Sequence, residues 1–145
     1  MSDLPAVSRP GALTASVDAV FAEDGPLTRA FDTFEVRTGQ RELAHAVASM
    51  FETGGTLLAE AGTGTGKTLA YLVPAAFAGR RVLISTGTRT LQDQIFYKDI
   101  PALAEALGTE IKAAYMKGRT NFLCRHRFDR LTEIAGTLTE DEQHW

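Results

Sequence analysis

A chain of 145 residues, 44% hydrophobic and 23% charged, has the size and composition of one ordinary soluble domain with a core and leaves no room for two. Its net charge of −3 excludes an overall positive field for nucleic acid, so any such binding must rest on local patches. No apolar run approaches the roughly 20 residues of a membrane-spanning helix, no basic region precedes an apolar block at the N-terminus, and the single cysteine, Cys124, cannot pair internally; together these lead us to expect a cytoplasmic protein without a membrane partner.

Residues 1 to 13 carry Pro5, Pro10 and Gly11 without periodicity and read as a loose tail, which as a domain boundary extends over residues 1–14. Ser16 is placed to cap a short helix with Val17, Val20 and Phe21 on one face, ended by Gly25 and Pro26. Leu27, Ala30 and Phe31 predict a second helical turn, and Phe34 and Val36 a brief extended segment. From Thr38 the spacing predicts a helix to about Glu52 with Leu43, Ala46, Val47 and Met50 as its buried stripe, stopped by Gly54 and Gly55. Arg37 and Gln40 stand at its start. The Gln40 amide offers an acceptor and two donors, the inventory needed to read the edge of adenine, although a polar residue at a helix start also serves as a cap or a solvated side chain.

Next comes the apolar run Thr56-Leu57-Leu58-Ala59-Glu60, then Ala61-Gly62-Thr63-Gly64-Thr65-Gly66-Lys67-Thr68, then a helical pattern from Leu69 to near Gly79. Strand, glycine-dense loop and helix in that order form the context of a phosphate-binding loop. Glycines let successive N–H groups converge on one point, and the N-terminus of the following helix adds partial positive charge there. Lys67 would meet the β and γ phosphates of ATP, and the Thr68 hydroxyl would ligate Mg²⁺. Ala61 stands where the strict pattern has Gly, which is acceptable unless that residue must be left-handed. The alternative is a glycine-rich turn that happens to end in Gly-Lys-Thr, and the strand before it and the helix after it weigh against that.

Arg81-Val82-Leu83-Ile84-Ser85-Thr86 reads as a second strand, apolar on both faces as in a parallel sheet. Thr86, Gly87, Thr88 and Arg89 follow at the carboxyl end of that strand, where ligands of α/β folds bind, and an ordinary N-capped helix start explains them equally well. A helix from Thr88 to about Tyr97 is expected to break at Pro101 and resume through Leu103, Ala106 and Leu107 to Gly108. Ile111 to Met116 makes a third strand, and Lys117-Gly118-Arg119-Thr120-Asn121 turns into a helix from Phe122 to about Ile134 that holds Cys124. Lys117, Arg119, Arg125, Arg127 and Arg130 face one acid, Asp129, a local basic run in an acidic chain. Such a run is commonly a solvated helix face, and it also suits a phosphate backbone. The element order predicts a three-layer α/β/α P-loop domain with a parallel, right-handed sheet, left incomplete by three strands.

Glu60 to Thr68, Ile84-Ser85-Thr86-Gly87-Thr88 with Leu91-Gln92-Asp93-Gln94, and Lys117-Gly118-Arg119-Thr120-Asn121-Phe122-Leu123-Cys124 together resemble the N-terminal part of the DinG and YoaA type of bacterial ATP-dependent DNA helicase, relatives of the XPD helicase in superfamily two. The resemblance covers about residues 15 to 135, and in that family Ala is usual at the position of Ala61. It implies a RecA-like first motor domain over residues 15–116 and the start of an iron–sulfur insertion over residues 117–145. By the same resemblance Gln40, helped by Arg37, reads adenine, Gly64 to Thr68 hold the triphosphate and Mg²⁺, and Thr86, Gly87, Thr88 and Arg89 contact single-stranded DNA phosphates. Cys124 matches the first of four cysteines that hold a 4Fe–4S cluster.

The resemblance also implies that the acidic box for Mg²⁺, the other three cysteines and the second motor domain with its arginine finger lie beyond Trp145, and that the chain is a fragment which alone hydrolyses ATP poorly. The parent is expected to be a monomer acting on single strands and duplex junctions. Two rival readings are a P-loop small-molecule kinase, with Arg125, Arg127 and Arg130 as a lid, and a non-catalytic nucleotide-binding module.

Overall fold

The structure, a computed structural model, describes residues 11–31 and 34–135, which divide into two units, Met1–Ala113 and Ala114–Trp145. In the first unit helix α1 (Ala12–Val20) starts at Gly11, whose φ of 81° places it in the left-handed region, and buries Leu13, Val17 and Val20 along one face. The expected tail therefore ends earlier than residue 14: Leu13 is buried and its N–H donates to Glu52 Oε1 at 2.9 Å. Residues 1–10 lie outside the described part. Ser16 is not a cap. It sits inside α1 and its hydroxyl donates back to the Ala12 carbonyl at 2.9 Å, the local bond available to a serine within a helix.

A tight turn leads to helix α2 (Pro26–Ala30), with Pro26 in the first turn, where its missing N–H costs nothing. Gly25 is required there by contact: a Cβ on it would lie 2.6 Å from the Val20 carbonyl oxygen. Phe21 and Leu27 are fully buried, and the Phe21 ring packs 6.3 Å from that of Phe34.

Helix α3 (Thr38–Thr53) and helix α4 (Lys67–Phe77) form the most extensive helix pair of this unit. The buried line of α3 is Gln40, Ala44 and Ala48, not the larger Leu43, Ala46, Val47 and Met50 stripe read from the sequence, which is only partly buried. Small side chains four apart suit close packing of α3 on α4, whose Ala70 and Val73 are buried as well, and this overrides the pull of bulk.

The parallel sheet is not formed among the described residues. Segments 56–61, 81–86 and 111–116 carry no strand assignment, and no backbone hydrogen bond joins any of them to another. Leu58 is 98% exposed and Leu83 94% exposed, so runs that read as buried on both faces present side chains to solvent. A strand exists only through its partners, and an apolar run announces the need for a neighbour without supplying one.

Helix α5 (Arg89–Gln94), a π turn (Ile95–Asp99) and helix α6 (Ile100–Leu107) run on as one helical rod. Pro101 does not break it as expected. The turn before it widens, which gives room to a ring that would otherwise meet the carbonyl four residues back. Gly108, left-handed at φ 61°, ends the rod.

The second unit holds a 3₁₀ turn (Arg119–Asn121) and helix α7 (Arg125–Ala135). Cys124 lies just before α7 instead of inside it; its carbonyl accepts the Phe128 N–H at 2.9 Å, and the residue is exposed. No helix among the described residues is long and apolar enough to cross a membrane.

Candidate nucleotide-binding site

The loop from Ala61 to Thr68 runs straight into α4, so the first turn of that helix opens onto it. Gly64 and Gly66 hold φ values of 77° and 80°, the left-handed region that only glycine enters without strain. Ala61 is not left-handed, which explains why a side chain is accepted at that position. Thr63 is exposed between the glycines, and the Thr65 hydroxyl donates to the Gly62 carbonyl at 2.9 Å, which closes the loop on itself.

Lys67 lies over this loop. Its Nζ donates to the Ala61 carbonyl at 2.7 Å and also to that of Gly62, so the ammonium stands at the mouth of the glycine turn. A cavity of about 360 Å³ opens beside it, lined by residues Gly64 to Leu69 together with Gln94 and Asp99. That volume is within the range of small-ligand pockets. Lys67 supplies positive charge, the N-terminus of α4 adds its dipole, and Thr68 contributes a hydroxyl oxygen of the kind that a hard divalent cation takes.

Arg37 and Gln40 are brought to the same loop by α3. The Arg37 guanidinium donates to the Gly64 carbonyl, and Gln40 Nε2 donates to the Gly66 carbonyl at 2.9 Å. Gln40 is 4% exposed. These bonds brace the loop, a role for which the sequence carried no signal beyond polar residues at a helix start. Farther along α3, His45 Nε2 and Arg41 both meet Asp18 Oδ1 of α1, at 2.6 and 3.1 Å. The His45 hydrogen bond, aided by Arg41, holds the Asp18 carboxyl below its ordinary value against a partial opposing effect of burial.

Two features at or beside the cavity escaped the sequence reading. Tyr71, one helical turn after Thr68 in α4, has its phenol pushed up chiefly by burial; a hydrogen bond with the Thr68 side chain opposes this and the Asp99 carboxylate adds to it. Spacing of three on a helix is the signal that could have shown the first pairing. Asp99 arrives from the π turn, and no local pattern announces it.

Thr86, Gly87, Thr88 and Arg89 lie apart from the cavity lining, at the start of α5. The Thr88 hydroxyl accepts the Leu91 N–H at 3.2 Å and caps α5, while the Thr86 hydroxyl donates to the Thr88 carbonyl at 3.0 Å. Both hydroxyls have local structural work, and Gly87 and Arg89 are exposed. In the second unit Lys117 Nζ sits 5.0 Å from the centre of the Tyr115 ring, and Arg119, Arg125, Arg127 and Arg130 are exposed. Among the described residues no group of three His, Cys, Asp or Glu could hold a metal ion. Cys124, the single cysteine of the chain, supplies one thiolate of the four that a 4Fe–4S cluster needs, so the residues present do not fit that cluster.

Comparison with known proteins adds the family. The model of the DEAD/DEAH box helicase family matches residues 38–139. The chain is 46% identical to the ATP-dependent DNA helicase YoaA of Escherichia coli over 81% of its own length and 19% of that protein. It is 46% identical to the ATP-dependent helicase DinG of Mycobacterium tuberculosis over 74% of the chain and 17% of that protein. It is also 36% identical to the 3'-5' exonuclease DinG of Bacillus subtilis, over 68% of the chain and 11% of that protein. The chain thus spans about a fifth of the length of the curated relatives it matches most extensively. No solved structure matches it. With most of the chain inside the family model, and with the glycine-rich loop at the head of α4, the chain belongs to the DEAD/DEAH box helicases, a family that implies a RecA-like P-loop fold.

Proposed function

We propose that this chain is the nucleotide-binding part of an ATP-dependent DNA helicase, in which ATP hydrolysis drives movement along single-stranded DNA and opens duplex junctions. The observation that carries the reading is the loop itself: two left-handed glycines, a lysine ammonium at the loop mouth and a helix N-terminus converge on one cavity. That combination suits a polyphosphate.

In this reading the ammonium of Lys67 leaves the Ala61 and Gly62 carbonyls and meets the β and γ phosphates, and the loop N–H groups take phosphate oxygens. Mg²⁺ would supply positive charge against the triphosphate. The Thr68 hydroxyl is the protein oxygen that would hold it. Arg37 and Gln40, whose present partners are the loop carbonyls, take the role of reading the base in this proposal. Thr86, Gly87, Thr88 and Arg89 form the strand-phosphate contact, with Arg89 the exposed cation that supplies it. The runs 56–61, 81–86 and 111–116 pair as the parallel sheet of the RecA-like fold when neighbours are available, residues 117–145 begin an inserted unit, and the protein works as a cytoplasmic monomer. No step depends on an iron–sulfur cluster.

The test is titration of a fluorescent ATP analogue with and without single-stranded DNA. Mutual strengthening or weakening of the two ligands is expected, because a motor couples them. Nucleotide binding that ignores DNA would overturn the helicase reading and favour a kinase or a passive nucleotide module.

A further inference from the structure

The nucleotide cavity contains a charge that a phosphate site does not need. Asp99 lines it and is, among the described residues, its single acidic lining residue. Gln94 Nε2 donates to Asp99 Oδ2 at 3.2 Å and fixes the carboxylate, which has further acceptor sites to spare. Its field reaches the phenol of Tyr71, whose other polar neighbour is the Thr68 side chain. The residue is also placed by a device that costs regular geometry. The π turn Ile95–Asp99 rotates the end of the rod relative to an ideal helix, and such turns recur at functional sites.

A carboxylate facing a polyphosphate repels it in proportion to the charge left bare. A divalent cation between them reverses the sign, since both the phosphate oxygens and the carboxylate then face positive charge. The oxygens of Thr68 and Asp99 share this wall, and both are hard donors that suit Mg²⁺ or its bound waters. We propose that Asp99 is a discriminating residue through which this pocket rejects bare polyphosphate and admits the same ligand as its divalent-cation complex. The inference rests on the reading of the cavity as a polyphosphate site and adds a selection rule to it. Asp99 acts as a positioning and screening residue; Lys67 and Thr68 keep their own contacts.

Calorimetric titration of the full chain with inorganic tripolyphosphate and with ADP, each in Mg²⁺ and in chelator, tests this in the wild type, Asp99→Asn and Asp99→Ala. The expected result is that cation-free ligand binds about tenfold more tightly to the variants, so that the ratio of affinities with and without Mg²⁺ contracts. An unchanged ratio in a variant that binds nucleotide overturns the inference and leaves the phosphate site standing. A wild-type chain that binds neither ligand overturns both. A measurement on the unaltered protein guards against a misfolded variant: with Mn²⁺ and ADP bound, the Asp99 carboxylate carbon signal should broaden by paramagnetic relaxation. If that signal stays sharp while ADP is bound, Asp99 does not face the cation and the inference falls.

Discussion

Gln40 Nε2 donates to the Gly66 carbonyl at 2.9 Å, and the same nitrogen lies 2.1 Å from where a Cβ on Gly66 would stand. Gly66 is therefore required twice, by its φ of 80° and by the closeness of the glutamine, whereas Gly64, at φ 77°, has open space around its missing Cβ. Gly64→Ala should cost only the left-handed strain, roughly 1–2 kcal/mol. Gly66→Ala should cost more, and the excess should shrink in a Gln40→Ala background because the clash is gone. Urea unfolding of the wild type, Gly64→Ala, Gly66→Ala, Gln40→Ala and the Gln40→Ala/Gly66→Ala double variant measures this; equal costs at the two glycines would contradict the geometry.

Lys67→Ala removes an ammonium that bonds loop carbonyls, so the fold should survive while nucleotide binding is lost. Charge-assisted hydrogen bonds contribute about 1.5–3 kcal/mol each, which sets an expected loss of at least tenfold. Fluorescent ATP-analogue titration alongside a thermal melt checks it, and undiminished affinity in a folded variant would remove Lys67 from the site.

Thr88 and Arg89 are adjacent and should separate cleanly. Thr88→Ala deletes the cap on the Leu91 N–H and should destabilise by about 1 kcal/mol. Arg89→Ala should leave the melt unchanged but weaken single-strand binding for every sequence alike, and lower the salt slope by about one. Filter binding at several salt concentrations gives the slope; a loss confined to particular sequences would point to base contacts instead.

Asp18 joins α1 to α3 through His45 and Arg41, and its folded carboxyl titrates below its ordinary value of 3.8. A depressed acid contributes stability that is complete above that value and disappears as pH falls through the folded one. Asp18→Asn should therefore reduce stability at neutral pH and make the profile flatter below about pH 4. Thermal melts from pH 2 to 7 compare the two, and parallel profiles would show that the pairing contributes nothing. Half-exposed side chains make the expected effect small.

What the sequence disclosed depended on how local each feature is. The turn that leads into α4 was legible because its glycines, Lys67 and Thr68 stand within eight consecutive positions, and α3 and α4 followed from periodicity and their glycine stops. The α3 face was misread because burial there is decided by how closely α4 approaches, which selects Ala44 and Ala48 over bulkier neighbours. The wide turn before Pro101 was missed since a proline states only which hydrogen bond is lost, not how the backbone adjusts. Asp99 was invisible for a different reason: its place in the cavity is a meeting of two helices distant in sequence. The sheet stayed an expectation because pairing belongs to no single segment.

The two bonds from α3 to the loop carbonyls also fix the direction of the loop's donors. In a trans peptide the N–H points opposite to the C=O, so an acceptor pinned by a side chain aims the next amide the other way. Arg37 on the Gly64 carbonyl turns the Thr65 N–H away from α3, and Gln40 on the Gly66 carbonyl does the same for the Lys67 N–H. Ligand affinity and the integrity of the first turn of α3 are then one quantity. Fraying at Thr38 would release both peptide planes, and bound nucleotide should in turn slow amide hydrogen exchange there, although the loop lies more than 20 residues farther along the chain.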